Sequence, residues 1–180
     1  MLRMFLSWLW LTVLACPCWA LDPAGEAFFA RLLALDGRTF TGTTVFPTDP
    51  AHEMVGKPLH LRVQVLSPSE IHVPFGVGDD ASRTWILRRS PEGLILKHQH
   101  LLADGSPDPI TNYGGTAVPR LLSLMQAFPA DAETAAMLPE AASNVWALAF
   151  SPDGRTLTYT LERDQRPRYQ ARFELTADNP

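Results

Sequence analysis

Cysteine is almost missing: the 180-residue chain has two, Cys16 and Cys18, both within its first twenty residues. Beyond those twenty, no disulfide framework can hold the fold together. Charge is sparse and unclustered, with 15 Lys and Arg against 19 Asp and Glu for a net −4. Without a basic run, a nucleic-acid partner gripped through its phosphates is not expected. No Gly-x-Ser-x-Gly elbow is present, and Gly76-Val77-Gly78 lacks the rest of a phosphate-binding fingerprint. Paired acids for glycoside cleavage do not emerge from spacing either. Internal repeats, low-complexity tracts and linkers are missing too. These absences disfavour nucleophilic and nucleotide-dependent catalysis. They leave a chain whose stability must come from a buried core.

The longest apolar run, Met4 to Ala15, reads as the core of a targeting segment. Arg3 gives it a positive start, and Cys18-Trp19-Ala20 puts small residues at the cleavage positions, so a cut is expected after Ala20. Pro17 interrupts the run before the roughly 20 residues a bilayer-spanning helix needs. The rival readings are an uncleaved anchor and a lipid anchor on Cys16. Against the latter, Leu14 is large for a lipidation box and Pro17 is a poor follower. Removal of residues 1–20 leaves 160 residues, a single domain without cysteine or membrane span and with a charge of −5. Its expected location is the periplasm or the exterior.

In that remainder a helix is expected from Pro23 to Leu35, where Phe28, Leu32 and Leu35 recur at helical spacing and Asp36-Gly37 ends it. The period then changes from 3.6 to 2. Strands are expected over Arg38–Phe46, Leu59–Val65, Glu70–Val77, Arg83–Arg89 and Leu94–Leu101, then over Val145–Phe150, Thr156–Arg163 and Arg168–Leu175. Asp131 to Leu138 reads as a short helix stopped by Pro139. For residues 116–128 periodicity does not choose between helix and strand. Eight to ten short strands joined by hairpins predict an all-β, antiparallel up-and-down barrel with a short N-terminal helix.

The most distinctive stretch is Leu94–Gly115. Alternation puts Leu94, Leu96, His98 and His100 on one face of a strand, and Asp104-Gly105-Ser106-Pro107-Asp108 breaks it before Tyr113-Gly114-Gly115. If that face lines the barrel, His98, His100, Arg83 and Tyr113 supply polar groups to a cavity and Trp85 part of its wall. The expectation is a non-enzymatic protein that binds a small, partly apolar molecule and needs no cofactor. A second reading is a divalent metal site, in a carrier or hydrolase. His98 and His100 stand about 7 Å apart along the strand, and Asp104, Asp108 or His72 could complete the ligands. A short calcium loop at Asp104–Asp108 is explained more simply by an Asx turn. A third reading is a structural envelope or interaction module with a solid barrel.

Two resemblances add to this. The helix followed by Gly37-Arg38-Thr39-Phe40-Thr41-Gly42 resembles the opening of calycin barrels, the lipocalin and fatty-acid-binding group, with Phe40 where those proteins carry Trp. The resemblance implies a late arginine, Arg168 or Arg172, covering that ring. Pro74-Phe75, Gly78-Asp79-Asp80, Ser82-Arg83-Thr84-Trp85, Lys97-His98-Gln99-His100, Tyr113-Gly114-Gly115 and Asn144-Val145-Trp146 are similar to a family of secreted bacterial proteins to which no activity is assigned. That family is often more charged after the second histidine, where this chain has Leu101-Leu102-Ala103. The departure weakens any proposal that needs further ligands at those positions.

Overall fold

The computed structural model describes residues 21–47, 49–119 and 124–175. The expected leader, with Cys16 and Cys18, lies outside them. The described chain opens with helix α1 (Pro23–Leu33), whose first N–H groups at Ala24 and Gly25 donate to the Asp22 carboxylate. Strands β1 (Thr39–Pro47), β2 (Leu59–Arg62), β3 (Gln64–Ser67), β4 (Glu70–Val77), β5 (Asp80–Ser90), β6 (Gly93–His100), β7 (Tyr113–Thr116) and β8 (Met125–Pro129) follow. Then come α2 (Ala132–Met137), a 3-10 turn over Pro139–Ala141, β9 (Asn144–Phe150), β10 (Thr156–Arg163) and β11 (Arg166–Glu174).

Every ladder is antiparallel, and the strand order is β7-β6-β5-β4-β2-β1-β11-β10-β9-β8, with β3 off this path and paired to β4. β11 returns to pair with β1, and the result is a nearly closed up-and-down barrel of ten strands. The strand expected over Leu59–Val65 is bent in two. At Val63 the backbone leaves the ladder: its N–H donates to the Arg38 carbonyl and its own carbonyl accepts from Gly37. β3 therefore continues β2 along β4. Within the stretch left open by periodicity, Met125–Pro129 is a strand, and 120–123 lie outside the described residues. The last hairpin turns on Asp164 and Gln165, both at positive φ as a two-residue turn of this twist requires.

The two sheet ends meet at β7 and β8. There the Asp131 N–H donates to the Gly114 carbonyl at 3.0 Å and the Val118 N–H to the Ala127 carbonyl at 3.0 Å. Thr134 of α2, wholly buried, straddles the same backbone: its hydroxyl accepts from the Gly114 N–H (2.7 Å) and donates to the Gly114 carbonyl (2.8 Å). Lys97 ties α2 down from the neighbouring strand through Asp131 (2.7 Å) and Glu133 (2.9 Å). The approach leaves no room for side chains. A Cβ on Gly114 would collide with the Leu96 carbonyl, and one on Gly115 with the Pro129 carbonyl.

The interior is divided along the barrel axis. α1 plugs one end, burying Phe28, Phe29 and Leu32, with Phe28 against Phe150 at the end of β9. Each such side chain contributes roughly 1.5–3 kcal/mol by leaving water. Glu26 of α1 pairs with Arg89, whose guanidinium lies over the Phe29 ring and fastens the plug to β5. The cation over Phe40 is Arg38, 5.2 Å from the ring centroid. Arg172, one of the two late arginines expected there, is exposed. Arg38 is two residues from Phe40 on its own chain and needs no long-range placement. At the other end the barrel is open.

Gly115→Ala is expected to lower unfolding free energy by more than about 3 kcal/mol, because the collision is with backbone that cannot step aside. Gly154→Ala, at a left-handed hairpin position with empty space around it, should cost only about 1–2 kcal/mol. Urea unfolding of the two variants checks this. Equal losses would mean the seam is not closed as described.

Candidate functional site

Strand alternation brings His98 and His100 of β6, Trp85 of β5, Tyr113 of β7, Tyr159 of β10 and Tyr169 of β11 to the open end. They line a cavity of about 500 Å³. All three tyrosines of the chain lie there, as do both tryptophans among the described residues, Trp85 and Trp146. The purely apolar rings Phe28, Phe29, Phe128 and Phe150 belong to the closed half or the wall and do not line it. Aromatic residues with a polar tip thus stand where one end is dry and the other wet.

The rings are layered. Trp85 is sandwiched between Phe75 (5.0 Å between centroids) and Tyr159 (4.7 Å), with Phe173 edge-on beneath it. Tyr113 stacks on His98 at 4.9 Å, and Trp146 tilts against both. Tyr169 carries His52 stacked on its outer face at 5.0 Å.

His98 is 4% exposed and uses both ring nitrogens. Nδ1 lies 3.2 Å from the Tyr113 carbonyl, which can only accept, so Nδ1 carries the proton. Nε2 is then the lone-pair nitrogen and accepts from the Tyr159 hydroxyl at 3.1 Å. Burial pushes His98 down to about 3, so the ring is neutral. Burial likewise raises Tyr159 well above its ordinary value, and it remains a donor. His100 shares a 3.0 Å hydrogen bond with the Tyr113 hydroxyl through Nε2. Burial first, and then the charge of Arg83, lower its pKa. Tyr113 is pushed up to about 12, chiefly by burial.

The loop after β1 closes over part of the mouth. The Tyr169 hydroxyl donates to Thr44 Oγ1 at 2.9 Å, and Thr44 donates on to the Met54 carbonyl at 3.1 Å. Glu53 of that loop pairs with Arg83 at 2.7 Å, and Asp80 holds the other end of the same guanidinium.

Of the residues expected to line a cavity, His98, His100, Arg83, Trp85 and Tyr113 are all brought together here. Arg83 is fully engaged by its two carboxylates and braces the loop. Of the residues considered for a metal, Asp108 lines the cavity but His72 and Asp104 do not. His72 points away from the interior of β4, where its Nε2 meets Glu70 at 2.7 Å; alternation makes this inevitable once Ile71, Val73 and Phe75 face inward. Asp104 sits exposed at the tip of the β6–β7 connection and accepts from the Ser106 N–H and hydroxyl, an Asx turn. Among the described residues no three His, Cys, Asp or Glu side chains cluster to hold a metal ion.

Tyr159, Tyr169, Asn144 and Arg163 also belong to the site and went unnoticed in the sequence. A signal existed for the tyrosines: Leu157, Tyr159 and Leu161 share one strand face, as do Tyr169, Ala171 and Phe173. No comparable signal says that these faces meet His98 across the barrel.

Fold and site together define an antiparallel barrel with one plugged end and one aromatic, hydrogen-bonded pocket. No protein-family model, no curated protein and no solved structure matches the chain. Among the described residues no helix is long and apolar enough to cross a membrane.

The depressed His98 pKa makes stability pH-dependent. An unfolded histidine titrates near 6.5, the folded one near 3. Between these values the unfolded chain takes up a proton that the folded chain refuses. The stabilisation is therefore complete above about pH 6.5 and is lost as pH falls towards 3, at about 1.4 kcal/mol per pH unit. His100 acts in the same direction. Urea unfolding from pH 7 to pH 4 should show this slope, and His98→Gln, which can still donate to Tyr113 and accept from Tyr159, should flatten it.

Proposed function

We propose that this protein is an exported, non-enzymatic binder of a small, partly apolar molecule, held in the open end of the barrel. The observation that carries the reading is the concentration of every tyrosine and both described tryptophans around one cavity of about 500 Å³. That size and mixed lining suit a single compact ligand. These rings are buried or half-buried, Trp85 among them packing on Phe75 and Phe173, and they also turn a face to the cavity.

The state of the polar groups supports binding over acid–base chemistry. A general base needs a lone pair within reach of the substrate, and the one on His98 is occupied by the Tyr159 hydroxyl. Arg83 is matched by Asp80 and Glu53. Groups already satisfied by the protein make a rigid wall that costs little to order when a ligand arrives. Export rests on the Arg3 start, the apolar run and the small residues before Leu21, and predicts a mature chain free of cysteine.

Native mass spectrometry of protein purified from its own source, with elemental analysis of the same sample, tests the reading. A retained organic molecule is the expected result. Metal in its place, or a protein partner on an empty barrel, would overturn it. After cleavage at Ala20 the only tryptophans left are Trp85 and Trp146, so re-adding the extracted molecule should change the emission of both. Unchanged emission at saturation would place the molecule elsewhere.

A further inference from the structure

Among the described residues, one arginine lining the cavity has no carboxylate in ion-pair contact. Two arginines line it, Arg83 and Arg163. Arg83 is neutralised by two carboxylates. Arg163, the last residue of β10, donates its Nε to Asn144 Oδ1 at 2.8 Å. Asn144 sits directly across the β9–β10 ladder and is 4% exposed. A buried neutral amide orients the guanidinium without cancelling its charge. Among the described residues no carboxylate forms an ion pair with Arg163.

The surroundings of Arg163 are graded along the barrel axis. The same face of β10 carries Tyr159, Leu161 and then Arg163, paired across the ladder with Leu148, Trp146 and Asn144. From Tyr159 to Arg163 the strand rises about 13 Å. Over that distance the lining passes from stacked aromatic rings to a guanidinium at the mouth. Glu53, Asp108 and Glu140 also line the cavity, and Glu53 is taken by Arg83. The other two carboxylates act against any anion not held directly by Arg163, which limits an entering molecule to one negative group.

Resting on the pocket reading above, we propose that the ligand is an aromatic monoanion. Its ring system lies against Trp146 and Tyr159, and its carboxylate or similar oxyanion at the outer end is held by the Nη groups of Arg163. A planar guanidinium fixed through Nε presents its remaining N–H groups as a fork that matches two oxyanion oxygens.

Two fluorescent probes share one ring skeleton and differ by a sulfonate: 8-anilinonaphthalene-1-sulfonate and N-phenyl-1-naphthylamine. Titrated into the folded protein, both should bind, with the sulfonate preferred. Arg163→Gln should reduce that preference about tenfold, the loss expected for a charge-assisted bidentate contact, and Arg163→Lys should restore part of it. Glu140→Gln should increase the preference by about threefold, since it removes a nearby like charge; this variant carries the test if Arg163→Gln does not fold. Binding of both probes with a preference unaltered by these substitutions would overturn the anion assignment and leave the pocket standing. Binding of neither probe would overturn the pocket reading itself.

Discussion

One peptide unit, between Tyr113 and Gly114, carries both the closure of the barrel and the chemistry of its interior. Its carbonyl accepts the Nδ1 proton of His98 from inside, and its N–H donates to Thr134 from outside. Gly114 is at φ +153°, and a Cβ there would strike the facing strand, so glycine is what lets the unit sit between the two. With the seam held, His98 is in a dry interior, and dryness accounts for its neutral ring, its single tautomer and the donor role of Tyr159. Opening the seam would admit water to the ring and remove the reason for all three.

The division of aromatic types along the axis follows from the same closure. A nearly closed cylinder with a helical plug has one dry end and one wet end. Phenylalanine has no polar atom to satisfy, and Phe28, Phe29 and Phe150 fill the dry half, while Phe75 reaches the cavity as the backing of Trp85. Tyrosine and histidine need partners and find them towards the mouth, in one another, in the Tyr113 carbonyl and in Thr44. The result is a cavity whose walls are preorganised before any ligand arrives, with the loop at His52–Met54 fastened over one side by a stack, a hydrogen-bond chain and an ion pair. Preorganisation of this kind favours recognition, because the ordering cost has been met in folding.

Much of the architecture was legible because period-two alternation is a local property. The strand Glu70–Val77 was read to the residue, the last three strands to within about two, and the placement of His98 and His100 on the leucine face followed from the same rule. The kink at Val63 was not legible, since it is made by hydrogen bonds to Gly37 and Arg38, more than twenty residues earlier. Nor was the strand Met125–Pro129, whose short apolar run fits either period. The candidate site was half visible: the residues on β5, β6 and β7 lie close in sequence and were grouped, whereas Tyr159, Tyr169, Asn144 and Arg163 arrive from strands tens of residues away.

By itself the sequence determined the class of fold, the inward face of the strands from Leu59 to Leu101 and the cluster of imidazoles and a phenol around Leu94–Gly115, because hydrophobic alternation and turn residues act through near neighbours. Only the tertiary structure decided which faces meet. It paired His98 with Tyr159, turned His72 outward, committed Arg83 to Asp80 and Glu53, and left Arg163 facing the cavity beside a neutral amide. Those assignments depend on strand register around a nearly closed barrel, which brings together residues far apart in the chain that local pattern cannot relate.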